Sequence, residues 1–185
     1  GNPIRSLRRL HPALAAVLAT ALVLAAAELA VRRWLVSPSV AVPHARYLWV
    51  YPPHAPVVHS SEGWSAARTN SMGLLDDELR VPRAPVRALL LGDSYAEALQ
   101  VARRENFAAV AERSLPGLEV VNAGCSGRVP LDYAEWLEEH GPALAPDVVI
   151  VQVNEGDLVG LARPGNFARL ARRPAGTPEP PPAES

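Results

Sequence analysis

The sequence predicts a mixed α/β protein: one apolar N-terminal helix, then a small parallel sheet with helices on both faces, a three-layer arrangement. Three observations predict it. Residues 12–31 form an apolar run whose only ionisable residue is Glu28. Three short runs rich in Val and Leu lie at 86–91, 118–121 and 147–153, bounded by Gly, Pro or Asn. Helix-length segments at 95–115 and 132–144 separate those runs. Such runs suit strands buried on both faces of a parallel sheet. The order β-α-β-α-β then calls for right-handed crossovers.

The apolar run comes first. Twenty residues at about 1.5 Å each span about 30 Å, the thickness of a bilayer's hydrocarbon core. Glu28 stands four residues before Arg32, a spacing for an ion pair at headgroup level. Trp34 follows as an interface anchor. Arg5, Arg8 and Arg9 precede the run, and Arg32 and Arg33 follow it. With the terminal amine, this bias favours a cytoplasmic N-terminus and an exported remainder. A retained signal anchor is the favoured reading. The alternatives are a cleavable signal peptide, with the small residues Ala25, Ala26 and Ala27 as its cleavage region, and a buried soluble helix.

Residues 1–36 therefore form the N-terminus and anchor. Residues 37–85 read as a Pro-rich extended arm, because Pro38, Pro43, Pro52, Pro53 and Pro56 interrupt any helix. Trp49, Tyr51 and Trp64 imply that this arm packs on something. Residues 86–160 hold the sheet unit. Pro116-Gly117, and Gly141-Pro142 with Pro146, supply turns after its helices. A short helix over 158–170 is interrupted at Pro164-Gly165, and 161–185 is a Pro-rich tail.

Composition narrows the function. The chain has 185 residues, 49% hydrophobic and 20% charged, with a net charge of −1. That balance argues against a nucleic-acid partner, which needs a basic excess on one face. All eighteen cations are Arg, so no mechanism with a catalytic Lys applies. Cys125 is the only cysteine, which excludes an intrachain disulfide and a Cys-rich zinc site. Two Phe and two Ile leave the core to Leu, Val and Ala.

In parallel sheets, ligands bind at the carboxyl ends of the strands. Three loops converge there: Gly92-Asp93-Ser94-Tyr95, residues 122–127, and residues 154–157. A Ser at a strand-to-helix turn lies near a helix N-terminus and can cap it. Its own N–H can also face a developing oxyanion, and a Gly in the next loop can add a second. Asp93, a candidate catalytic residue beside Ser94, reads as a loop-bracing hydrogen bonder before a catalytic acid, Cys125 as a small buried loop residue before a reactive thiol, and Glu135, Glu138 and Glu139 as a solvated helix face. A metal site at Glu155 and Asp157 is not expected, because no His or Cys stands beside them. The absence of Gly-x-Gly-x-x-Gly disfavours a dinucleotide site. No cofactor is called for.

These loops resemble a known family. Leu90-Leu91-Gly92-Asp93-Ser94 is similar to the first block of the SGNH (GDSL-type) hydrolases. Val120-Val121-Asn122-Ala123-Gly124-Cys125-Ser126-Gly127 is similar to the second. Pro146-Asp147-Val148-Val149-Ile150-Val151 resembles the strand leading to the third. Arg68-Thr69-Asn70-Ser71-Met72-Gly73 resembles an element found upstream in membrane-anchored bacterial members. The resemblance covers residues 68–157 and implies a flavodoxin-like sheet, Ser94 as nucleophile, and an oxyanion hole from the N–H groups of Ser94 and Gly127. It also implies a third donor, the Asn side chain of a Gly-x-Asn-Asp block.

Two departures follow. Gly156 stands at the expected Asn position, while Asn154 stands where the family has Gly and is the candidate oxyanion donor only through a changed loop. No Asp-x-x-His block follows Asp157, and a Ser without a base is a poor nucleophile. His54 and His59 on the arm are the remaining candidates; His140 falls at the opposite edge of the sheet. The domain therefore reads as truncated, without room for two further strands. The function expected is a catalytically incomplete binding or structural subunit of a membrane protein complex, anchored in a bacterial inner membrane with its main domain periplasmic. The alternative is a serine esterase or acyl transferase on lipid or cell-surface glycan esters, of which this chain is a portion.

Overall fold

The computed structural model describes residues 3–34 and 40–172. Helix α1 (Pro3–Trp34) is continuous. Its stretch Pro12–Arg33 is apolar and long enough to cross a membrane, and none of it is buried. Leu18, Leu22 and Leu24 are 62%, 72% and 64% exposed. A core helix would bury such side chains, so a membrane span or a signal sequence remain as readings. The expected Glu28–Arg32 pair forms at 2.7 Å.

The segment read as an extended arm is folded where described. Strands β1 (Val42–Pro43) and β2 (Trp49–Val50) pair antiparallel, as do β3 (Pro56–His59) and β4 (Ser65–Arg68). Pro43 and Pro56 sit at strand ends, where a missing N–H is tolerated. Tyr47, Val57, Leu74 and Leu75 are buried. The Arg68–Gly73 stretch is a turn built on two side chains. The Thr69 hydroxyl accepts from the Ala55 N–H and donates to the Pro52 carbonyl. Asn70 Oδ1 accepts from the N–H groups of Met72 and Leu74.

The sheet is parallel, with strand order β6-β5-β7, from β5 (Val86–Leu91), β6 (Leu118–Asn122) and β7 (Val148–Val151). Alternation along β5 sends side chains to opposite faces. Leu89 and Leu91 enter a core with Tyr47, Leu74, Tyr133 and Trp136. Ala88 and Leu90 enter a second core with Ala96, Ala108 and Val120. The arm thus supplies part of one layer. β7 differs: among the described residues it pairs only with β5, and its four residues are 39–49% exposed.

The helices correct several expectations. The segment 95–115 is not one helix. It forms α2 (Ser94–Glu97), an irregular stretch with a 3₁₀ turn at Arg103–Glu105, and α3 (Phe107–Ser114). Ala98 turns left-handed at φ 55°, ending α2. Asn106 then caps α3, its Oδ1 accepting from the Ala109 N–H at 2.9 Å. Helix α4 (Pro130–Leu144) runs through the expected Gly141-Pro142 turn and ends at left-handed Ala145. Pro164 does not interrupt a helix; it opens α6 (Pro164–Arg172), which follows α5 (Glu155–Leu161). The expected tail therefore begins as a helix; residues 173–185, and 37–39 of the arm, lie outside the described residues. The acidic face of α4 is partnered and not simply solvated. Arg169 of α6 meets Asp132 and Glu135, and Arg46 of the arm meets Glu138 and Glu139.

One ion pair is buried in the sheet. Arg87 and Glu119, opposite each other in the β5–β6 ladder, meet at 2.8 Å with side chains 7% and 5% exposed. The pair is fully engaged: Arg87 also donates to the Leu144 carbonyl, and Glu119 accepts from the Arg80 N–H. Removing one member strands a buried charge, whereas replacing both does not. Arg87→Met is expected to destabilise by about 3–5 kcal/mol, and Arg87→Met with Glu119→Leu to regain most of that. Chemical denaturation reads both; no recovery in the double variant refutes this account.

Asp76 joins the loop before β5 to the sheet. It accepts from the Asn122 N–H at 2.7 Å and from Arg103 at 2.6 Å. Burial nevertheless pushes its carboxyl up from 3.8 to about 6. Between those values the folded chain holds a proton that the unfolded chain has lost, so stability falls as pH rises through that window. Melting temperatures measured across it should show wild type losing stability relative to Asp76→Asn; a constant difference refutes the assignment.

Candidate functional site

The three loops expected to converge do meet at the carboxyl ends of the strands. Asp93 follows β5 and caps α2, its Oδ1 accepting from the Tyr95 N–H at 3.0 Å. Ser94, expected as the cap, is instead the first residue of the helix and is half-buried. Asp93 Oδ2 accepts from Asn154 Nδ2 at 2.7 Å. Asp93 therefore braces two loops at once, those after β5 and β7.

Asn154 is held on both sides. Its Oδ1 accepts from the Gly156 N–H at 2.7 Å, capping α5. Asp157 completes a capping box by accepting from the Asn154 N–H at 2.8 Å. The other Asp157 oxygen accepts from the Tyr133 hydroxyl at 2.8 Å. Both polar ends of the Asn154 carboxamide are thus structural ligands. No group of three or more metal-ligating side chains occurs among the described residues.

Two glycines of the loop after β6 have separate roles. Gly127 needs its missing side chain for its φ of +77° and abuts Leu48 and Trp49 of the arm. The close approach occurs at Gly124, where an added Cβ would lie 2.5 Å from the Glu97 nitrogen. This loop is clamped to α2 by Glu97, which accepts from the Ser126 N–H at 2.9 Å and from its hydroxyl. Glu97 also accepts from the Tyr51 hydroxyl at 2.8 Å. Burial holds the Glu97 carboxyl above its usual range, against those hydrogen bonds and Arg128.

The four histidines with described side chains are engaged elsewhere. His54 faces Glu78 at 3.7 Å, and His59 meets the Ser61 hydroxyl at 3.1 Å. His44 accepts from the Arg46 N–H, and His140 shares a hydrogen bond with Tyr47 at 3.0 Å. The arm folds onto the sheet, yet neither His54 nor His59 bonds Ser94. Burial pushes the Cys125 thiol up to about 12, which keeps it protonated and unreactive at neutral pH.

Sequence alone did not single out Glu97 or Arg128, and it marked Tyr51 only as an aromatic that packs on something, not as the partner of Glu97. A signal existed for Glu97: an acidic residue in an otherwise apolar turn three positions after Ser94. Arg128 follows directly on the Gly127 turn. No family model matches the chain, and no curated protein or solved structure matches it.

Substitution separates the bracing residue from the uncommitted one. Asn154→Ala removes a cap and the tie to Asp93 and is expected to cost about 1–3 kcal/mol. Ser94→Ala should change stability by less than about 0.5 kcal/mol. Urea denaturation checks both, and equal effects would refute the asymmetry.

Proposed function

We propose that this chain is a membrane-anchored, SGNH-like domain that works as a binding or structural subunit of a membrane protein complex. The observation that carries this reading is β7. An uncharged Val-Val-Ile-Val edge strand, open along one side and exposed on both faces, is a ready template for a strand from another protein. The unburied apolar helix α1 supports a retained anchor. With N-terminal arginines held in the cytoplasm, the domain lies on the exported side, periplasmic in a bacterium. The strand order β6-β5-β7 suits the flavodoxin-like arrangement that the motifs imply. Catalytic incompleteness is supported by the doubly engaged Asn154 carboxamide and by the other partners of His54, His59 and His140.

One observation favours a second reading, a serine esterase or acyl transferase. Ser94 opens a helix at the carboxyl end of the central strand, the position of an activated hydroxyl. That reading needs a base from outside the described residues.

Two measurements test these readings. The chain purified in mild detergent is expected to run with a larger membrane assembly, and Ile150→Lys to release it; a monomer in both cases refutes the subunit reading. Turnover of a p-nitrophenyl ester should not exceed that of Ser94→Ala. A Ser94-dependent rate would establish the esterase reading instead.

A further inference from the structure

The arm, the 72–75 turn, the loop after β6 and α4 line a cavity of about 180 Å³ that is partly open to solvent. Arg128 lines it and is 4% exposed. Its terminal nitrogens donate to the carbonyls of Trp49 at 2.9 Å and Ala123 at 3.5 Å, and its guanidinium lies 5.1 Å from the Tyr47 ring centre. Its Nε–H is buried without a partner.

The contrast with Arg87 is informative. Arg87 is equally buried and faces Glu119. Arg128 forms no ion pair with a carboxylate among the described residues; its polar contacts are two carbonyls. The acid that acts on it through space, Glu97, is already engaged by Tyr51 and Ser126. Glu139 also lines the cavity but is held by Arg46 at 3.3 Å. A buried guanidinium with an unfilled N–H and no carboxylate partner lacks an anion.

We propose that this cavity binds a small organic carboxylate. Its charge lies against Arg128 and its hydrocarbon part among Met72, Leu74 and Trp136, which also line the space. The volume equals about six waters at about 30 Å³ each, room for a carboxylate of a few carbons. A single unpartnered N–H on one guanidinium fits a monoanion. A phosphate dianion would bring a second negative charge, and Arg128 is the one arginine that lines the cavity among the described residues, beside the acid Glu139. The inference goes beyond the proposed function and uses neither Ser94 nor β7, so its outcome is separable from that reading's.

The test uses the full chain in detergent, with butyrate, acetate and inorganic phosphate as probes, followed by saturation-transfer NMR and thermal shift. Butyrate is expected to bind saturably with a Kd of about 1 mM or tighter, and Arg128→Gln to weaken it at least about tenfold. Met72→Trp fills the cavity without touching Arg128 and is expected to abolish binding. If Arg128→Gln does not fold, Met72→Trp decides alone. No saturable carboxylate binding, unchanged binding in Met72→Trp, or tighter binding of phosphate than of butyrate would each overturn the proposal.

Discussion

Burial of β5 on both faces is the constraint on which the rest of the molecule depends. It is the central strand, paired on both sides, and its alternating side chains seed two cores of different make-up. The face toward α2 and α3 is built from small residues, Ala88, Ala96 and Ala108, so helix and sheet approach closely. The other face carries Leu89 and Leu91 and needs large partners. Tyr133 and Trp136 come from α4, and Tyr47 and Leu74 from the arm. A chain with few Phe and Ile thus fills its larger core with aromatics drawn from distant positions. The loop that begins at Gly92 inherits its placement from this strand, as does everything Asp93 braces.

The sheet was legible because its strands are continuous apolar runs, a pattern that burial on two faces accounts for in β5 and β6, whereas β7 carries it with both faces exposed. The run at 86–91 matches β5 to the residue. The arm was not legible because its strands are only two to four residues long, too short to show alternation, and its prolines mask them. What holds it is tertiary: the Thr69 and Asn70 turn and the burial of Tyr47. The segment 95–115 misled for a different reason. Its apolar spacing is helical throughout, but the left-handed turn at Ala98 and the competing cap of Asn106 divide it.

In the candidate site, position was legible and partnership was not. The convergence of three loops follows from parallel topology alone. That Asp93 would cap in place of Ser94, or that Asn154 would spend its carboxamide on Asp93 and Gly156, depends on side-chain directions that spacing does not encode. Glu97 and Arg128 show the same limit. Glu97 lies by sequence in a helix-length segment and Arg128 in a loop, and each is nine-tenths buried in the fold. Their placement ties the arm, α2 and the second loop into one unit, so the cavity and the loop cluster share a wall at Gly124 and Cys125.

The bare edge of β7 also bears on how the protein is handled by its cell. Edge strands in soluble proteins are blunted by lysines, prolines or bulges; this chain has no lysine at all, and 148–151 carries neither charge nor proline. Such a segment has the composition of a cross-β core. If the domain is a subunit as proposed, then in excess over its partner it would pair with its own copies and fall to proteolysis or aggregation. Its abundance would in that case follow the supply of the partner, with solubility itself acting as the count of one against the other.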